Sequence, residues 1–303
     1  MVVSEAPSGG GRGAGCAFVT GGSSGIGLAV AMRLARDHGR VALFARDRDR
    51  LERAVAQIAA AFPATVLRAY PVDVGDPQAV ERAMAEAVAD LGAPRRVVIS
   101  AGLVRLGETD ALTRADHRRL MDVNFFGSLW TVRALLPHLE RGAAIGLIGS
   151  AAGIIGIYGY AAYAPSKFAL RGLAEILRVE LRGRGIGVTL CLPPDTETPM
   201  LKEEEESRSM VTARLAAEGG RMSADAVARA LIAGMERGRF LVLPNLPVRL
   251  TWYLAPFLLP WLQRRQERLL RHASAQMFAH HMDEHRQDPP PKETDREDKR
   301  EAK

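Results

Sequence analysis

Tyr163 and Lys167 lie four residues apart in a stretch with helical spacing, so their side chains share one face. That spacing sets an ammonium beside a phenol. A neighbouring positive charge favours phenolate and lowers a pKa that starts at about 10. A tyrosine tuned in this way can give a proton to a carbonyl oxygen as hydride arrives. Ser150 precedes Tyr163 by thirteen positions and can hydrogen-bond the same oxygen. Asn124, in Val123-Asn124-Phe125, can anchor a water that resupplies protons through Lys167. Singly, each residue has a plainer use: Tyr163 as a packed aromatic, Lys167 as a surface lysine, Ser150 as a strand-end cap. Together, behind the loop described next, they read as one site for carbonyl reduction.

That loop is Thr20-Gly21-Gly22-Ser23-Ser24-Gly25-Ile26-Gly27. It follows a short apolar run and opens a helical pattern. Glycines permit the tight turn and let backbone N–H groups approach a pyrophosphate. The helix N-terminus adds partial positive charge. Strand before and helix after make this a dinucleotide loop and not an ordinary turn. The second apolar run ends Phe44-Ala45-Arg46. An acidic residue there would hold a ribose 2′-hydroxyl, whereas an arginine favours a 2′-phosphate. Ala45 and Arg46 therefore point to NADP(H). Asp47 suits the cap of the following helix.

Stepping along the chain, the apolar period alternates between strand and helix. Strands are expected at 16–20, 41–45, 65–70, 96–100, 145–149 and 188–192. Helices are expected at 26–37, 48–62, 77–91, within 116–139, and at 160–182. Such alternation implies an α/β fold: a doubly wound parallel sheet, Rossmann-type, covered on both faces. Val97, Val98 and Ile99 form an unbroken apolar run, as a strand buried on both sides requires. Residues 1–14 read as a flexible leader and 15–243 as the catalytic domain. Residues 244–282 read as an apolar, arginine-rich segment, and 283–303 as a disordered charged tail.

Composition narrows the partners. Lys plus Arg number 41 against 35 Asp plus Glu, a modest excess that favours anionic ligands such as phosphorylated cofactors or acidic lipid. No aromatic-interleaved basic stretch suggests nucleic acid. Cys16 and Cys191 lie in apolar runs and read as buried small hydrophobes, not a disulfide. The leader lacks the pattern of a signal peptide, so the expected location is cytoplasmic. His280, His281 and His285 lack acid or cysteine companions, and no metal is expected.

The chain resembles the short-chain dehydrogenase/reductases over about residues 15–243. Ser150, Tyr163, Lys167 and Asn124 match that family's catalytic residues, and the glycine loop matches its cofactor signature. The resemblance implies cofactor contacts from Gly21, Ser23, Ser24, Gly25, Ile26, Gly27, Arg46, Tyr163 and Lys167. It implies an adenine contact at Asp73, further contacts at Ala101 and Gly102, and others at Pro193 and Thr196. Thr198 matches the threonine that meets the nicotinamide carboxamide. Ser100 stands where an asparagine is usual, and Pro193-Pro194 where Pro-Gly is usual. Pro193-Pro194-Asp195-Thr196-Glu197-Thr198-Pro199 and the run 163–175 are similar to the 3-ketosphinganine reductase branch. That similarity implies NADPH-dependent reduction of a long-chain 3-ketone. Other lipophilic carbonyls (steroids, retinoids, 3-oxoacyl thioesters) stay open, as does an NADPH-sensing scaffold without turnover. The family's usual association implies a homo-oligomer through the helices after the fourth and fifth strands.

Two segments depart from the alternation. Residues 196–222 are polar and read as a mobile helical lid, with Glu203 to Glu206 a solvated face. Residues 240–262 are very apolar. The uncharged run 250–262 is shorter than the roughly 20 residues a spanning helix needs, and it holds Pro256 and Pro260. It suits peripheral or monotopic insertion at a membrane surface, with Trp252, Tyr253 and Trp261 at the interface. Arg264, Arg265, Arg268 and Arg271 then suit anionic headgroups. A substrate-pocket wall or a dimer contact is the alternative use.

Overall fold

A computed structural model describes residues 15–287, with side chains described over 15–272. The expected leader, the tail past residue 287 and the side chains of His280, His281 and His285 lie outside that range. Seven strands form one parallel sheet: β1 (Cys16–Thr20), β2 (Arg40–Ala45), β3 (Val66–Pro71), β4 (Pro94–Ile99), β5 (Ala144–Ile148), β6 (Gly187–Cys191) and, last in the chain, β9 (Leu241–Val242). Their order is β3-β2-β1-β4-β5-β6-β9, every pair parallel. The order reverses between β1 and β4. In open α/β sheets the crevice at that reversal is where ligands bind.

One face of the sheet is covered by α1 (Gly25–Asp37), α2 (Arg48–Ala61) and α9 (Ala224–Glu236). Val30, Leu34, Leu51, Ile58, Val227 and Leu231 bury their apolar stripes there against Val19, Leu43 and Val98. The opposite face is covered by α3 (Pro77–Leu91), α5 (Gly127–Leu135) and α6 (Tyr163–Glu180). Met84, Leu135, Leu170 and Leu177 pack there on Phe18, Val97, Ile145 and Leu190. The caps follow from residue type. Asp47 accepts from Arg50 N at 2.9 Å, and Asp76 from Ala79 N at 3.0 Å with Pro77 next in line.

The helical pattern expected within 116–139 is divided. After α4 (Arg114–Met121) a π-turn at Asp122–Phe126 interrupts the ladder before α5. A π-turn adds a residue to the helical circuit and commonly marks a functional position. Here it carries Asn124, which is fully buried. Helix α9 and strand β9 had no counterpart among the expected elements. The α9 signal was present: Ser223 caps the helix, and Val227, Leu231 and Met235 repeat every four residues.

The polar segment expected as a lid is helical and tied at both ends. Helices α7 (Pro199–Ser207) and α8 (Met210–Ala217) lie between β7 (Asp195–Glu197) and β8 (Arg221–Ser223), which pair in parallel as a separate ribbon. Beyond β9, α10 runs from Leu246 to Gln287, four residues past the expected start of the tail at Asp283. Pro256 and Pro260 lie inside it. Val248 and Ala255 join the core on the α6 face. Among the described residues, no helix is long and apolar enough to cross a membrane.

Candidate active site

One cavity of about 830 Å³ runs from the glycine loop, across the carboxyl ends of β1, β4 and β5, to the apolar face of α10. Its loop end is built from backbone. Gly21 has φ 67°, and a Cβ there would lie 2.7 Å from Ala101 N. A Cβ on Gly27 would lie 2.1 Å from Gly21 O, so no side chain fits between the loop and the first turn of α1. The Thr20 hydroxyl accepts from Ser100 N (3.2 Å) and Ala101 N (3.3 Å), tying β1 to β4. With serine at position 100, Thr20 closes that junction. Gly21, Ser23, Ser24, Gly25 and Ile26 all line the cavity, whereas Gly27 sits behind the turn.

Past β2 the wall carries Arg46 and Arg50, both exposed. Asp47 is occupied as the α2 cap and pairs with Arg50 Nε at 3.2 Å, as its sequence position suggested. Asp73 also lines the wall. Burial opposes its charge, but Arg119 Nη2 at 2.6 Å and Gly75 N at 2.9 Å hold its carboxyl below the usual range. Ala101, Gly102, Pro193, Thr196 and Thr198 line the middle of the cavity. The Thr198 hydroxyl donates to Thr196 O (3.1 Å) and accepts from Leu201 N (3.2 Å), capping α7. The Pro193-Pro194 turn is held by Ala151 N donating to Pro193 O at 2.9 Å.

The chemical centre lies where β5 ends and α6 begins. Tyr163 is the first residue of α6, and Lys167 follows one turn later on the same face. Lys167 Nζ lies 5.6 Å from the centre of the Tyr163 ring and donates to Ile148 O at 3.3 Å. Ser150 caps a short 3₁₀ turn, its hydroxyl accepting from Ala152 N at 3.1 Å. All three side chains reach the cavity.

One expectation at this centre needs correction. Lys167 was expected to lower the Tyr163 pKa. Instead the phenol is pushed well above its ordinary value, first by burial and next by the Glu204 carboxylate, with Asp195 adding to it. Ser150 and Arg208 pull the other way without prevailing. Burial also pushes Lys167 down, to about 8. Burial is the largest cause of both shifts. Asn124 does not itself line the cavity, but its oxygen and Lys167 Nζ both lie beside Gly102. Its amide nitrogen donates to Leu103 O and Ser166 Oγ, both at 2.9 Å, and its oxygen accepts from Leu103 N at 2.8 Å. It ties the loop after β4 to α6.

Residues 15–209 match the family described as short chain dehydrogenase. The chain belongs to that family. It is 41% identical over 234 residues to a 3-dehydrosphinganine reductase of Arabidopsis thaliana, covering 76% of this chain and 70% of the relative. It is 35% identical over 227 residues to a 3-dehydrosphinganine reductase of Danio rerio, covering 73% and 68%. Among solved structures, an alcohol dehydrogenase from the archaeon Thermococcus sibiricus, complexed with 5-hydroxy-NADP, matches with TM-score 0.64. That match has 25% identity and covers 73% of this chain and 90% of that one.

This short-chain dehydrogenase holds one group of side chains its motifs did not reveal. Arg208, between α7 and α8, donates to Asp195 at 2.6 and 2.8 Å and to Glu204 at 2.5 Å. Tyr160 also donates to Glu204 and accepts from Arg208 at 3.1 Å. The Arg208 side chain is only 5% exposed. The expected solvated face is therefore three residues, not four: Glu203, Glu205 and Glu206 are exposed, while Glu204 turns inward. An arginine four residues after a glutamate was the available signal.

The far end of the cavity is apolar. Leu250, Leu254, Leu258 and Leu262 line it from α10. The outer face of the same helix exposes Tyr253, Phe257 and Trp261. Trp252, expected at an interface with them, packs instead on the core with the Arg171 guanidinium 4.3 Å from its ring centre. Arg265, expected to be free for headgroups, pairs with Glu218. Cys16 and Cys191 are buried free thiols, and among the described residues no cluster fits a metal.

Proposed function

We propose that this chain reduces the 3-keto group of 3-ketosphinganine to sphinganine with NADPH. The observation that carries the proposal is the continuity of the cavity. One space joins the glycine loop, the Ser150, Tyr163 and Lys167 side chains, and an apolar trough formed by α10. A polar ketone on a long alkyl chain needs that combination. The names of the plant and fish relatives support the same reading.

The residues fit a nicotinamide dinucleotide. The loop leaves room only for backbone at Gly21 and Gly27, and the N-terminus of α1 faces the space it encloses. Arg46 and Arg50, with no acid free at the end of β2, favour a 2′-phosphate, hence NADPH over NADH. When bound, the nicotinamide supplies the hydride.

The chain's own groups supply the rest. With its pKa pushed up, Tyr163 keeps its proton throughout the neutral range and has it ready for the carbonyl oxygen. The Ser150 hydroxyl orients that oxygen. Lys167, with its pKa at about 8, is a cation at neutral pH and stabilises the phenolate left behind. Asn124 holds the loop at Leu103 and the start of α6 in register, which makes it a positioning residue.

The outer face of α10 suits an apolar surface. Tyr253, Phe257 and Trp261 are 66%, 81% and 51% exposed, and Arg264, Arg268 and Arg271 follow on the exposed side of the helix. We assign it to peripheral contact with a lipid surface. Exposed Ile176 and Val179 on α6 suit association with a second copy.

Purified protein with 3-ketosphinganine is expected to consume NADPH in preference to NADH, forming sphinganine. Turnover of a steroid or a 3-oxoacyl thioester in its place would overturn the substrate.

A further inference from the structure

The Glu204 carboxylate is bonded on one side only. Tyr160 Oη, Arg208 Nε and Arg208 Nη2 all donate to its Oε1. Its Oε2 takes no hydrogen bond among the described residues. Nor is it sealed away, since the one unpartnered and fully buried side-chain N or O atom among those residues is His38 Nδ1. Glu204 lines the cavity, and this second oxygen is both unbonded and accessible.

The charge around Glu204 is unbalanced. Two carboxylates, Asp195 and Glu204, face one guanidinium, Arg208, leaving one net negative charge. The group lies close to the reacting centre. Tyr160, whose hydroxyl bonds Glu204, has its ring centre 5.7 Å from that of Tyr163. Lys167, the cation of the centre, is engaged by Ile148 O and reaches the Tyr163 ring from within α6.

A carboxylate fixed on one oxygen and open on the other, beside the reacting centre, is built to receive a cationic donor. A long-chain 2-amino-3-ketone supplies one. Its nitrogen is two bonds from the carbonyl carbon, so the groups that hold nitrogen and carbonyl oxygen must be near neighbours. We propose that Glu204 Oε2 forms an ammonium subsite, which selects 2-amino ketones over plain lipid ketones. This rests on the functional reading above and adds the recognition of the amine. Arg208 and Tyr160 are positioning residues that hold Glu204 in place. The same contacts fasten α7 over the cavity, so amine recognition and closure share one side chain.

The test compares two substrates on two proteins. The substrates are 3-ketosphinganine and its analogue with hydrogen in place of the amine. The readout is the ratio of their kcat/KM values with NADPH. Glu204→Gln keeps the shape and can still accept from Tyr160, but it loses the charge. The ratio is expected to fall about 10- to 100-fold in this variant, mainly through KM for the amino ketone. An unchanged ratio overturns the subsite while leaving the reductase reading intact. Wild-type protein that reduces neither ketone defeats that reading itself, and the subsite with it. A second measurement needs no variant. Octadecylamine is expected to inhibit wild-type protein at least tenfold more strongly than octadecanol, competing with the ketone. Equal inhibition overturns the subsite even if the variant fails to fold.

Discussion

The glycine-loop end of the cavity is made of backbone, whereas the Glu204 end is made of long side chains from separate segments. At the loop end, Gly21 and Gly27 exclude any side chain, and the neighbouring amides are fixed by β1, β4 and α1. The ligand groups there are identical in every molecule of the cofactor. At the other end, Tyr160, Asp195, Glu204 and Arg208 meet across 48 residues of sequence. A backbone cradle suits an invariant partner. A side-chain cluster on a tethered lid can be altered without disturbing the sheet. Tyr163 stands between the two ends and answers to both.

Each end can be broken separately. The largest effect is expected at the junction. Tyr163→Phe should lower ketone reduction by about 10²- to 10⁴-fold, the usual range for general acids, while NADPH fluorescence titration shows binding retained. Loss of binding as well would mean that Tyr163 serves the cradle and not the chemistry. Next comes Arg208→Met. Removing one partner from a buried ion pair costs about 3 kcal/mol, equivalent to roughly 100-fold. The cost should appear locally, as faster tryptic cleavage at Lys202 or Arg214, with NADPH affinity unaffected. A uniform loss of thermal stability without faster lid cleavage would make the cluster part of the core.

A smaller effect is expected at the cradle. Arg46→Ala should weaken kcat/KM for NADPH by about tenfold and leave NADH unchanged. Combined with Arg208→Met, each effect should keep its single-variant size, since they act at opposite ends. The gentlest perturbation is pH. Lys167 carries its charge below about 8 and loses it above, so reduction should decline as pH rises through that value. The same shift predicts stability. Between about 8 and the ordinary lysine value of 10.5, the unfolded chain holds a proton the folded chain has released. Unfolding free energy from this group therefore rises with pH across that window. An alkaline limb that stays put in Lys167→Arg would assign it to another group.

The cradle was legible because its signals are local. Gly21 to Gly27 form one unbroken motif and Arg46 ends a strand, just as Tyr163 and Lys167 share one helical turn, and periodicity alone marks six of the seven sheet strands. Strand β9 escaped because two residues, Leu241 and Val242, carry no period. The sign of the Tyr163 shift escaped because desolvation depends on what packs around the ring, which spacing does not reveal. Glu204 looked like its neighbours Glu203, Glu205 and Glu206. Only the fold brings Tyr160 and Asp195 to its side and separates one glutamate from the other three.

Helix α10 has a consequence for how the substrate is counted. Leu250, Leu254 and Leu258 line the cavity and are also 51%, 44% and 40% exposed, so the trough is not sealed along α10. Beyond it stand Phe257 and Trp261. On the proposed reading, an alkyl tail leaving the trough would pass over this rim to the surface that the outer face contacts. When that is a lipid layer, the tail crosses without meeting bulk water. Saturation then follows the mole fraction of ketone within the layer, not its amount per litre. Diluting the ketone with inert lipid at constant total ketone should slow the reaction, although every bulk concentration of reactant stays the same.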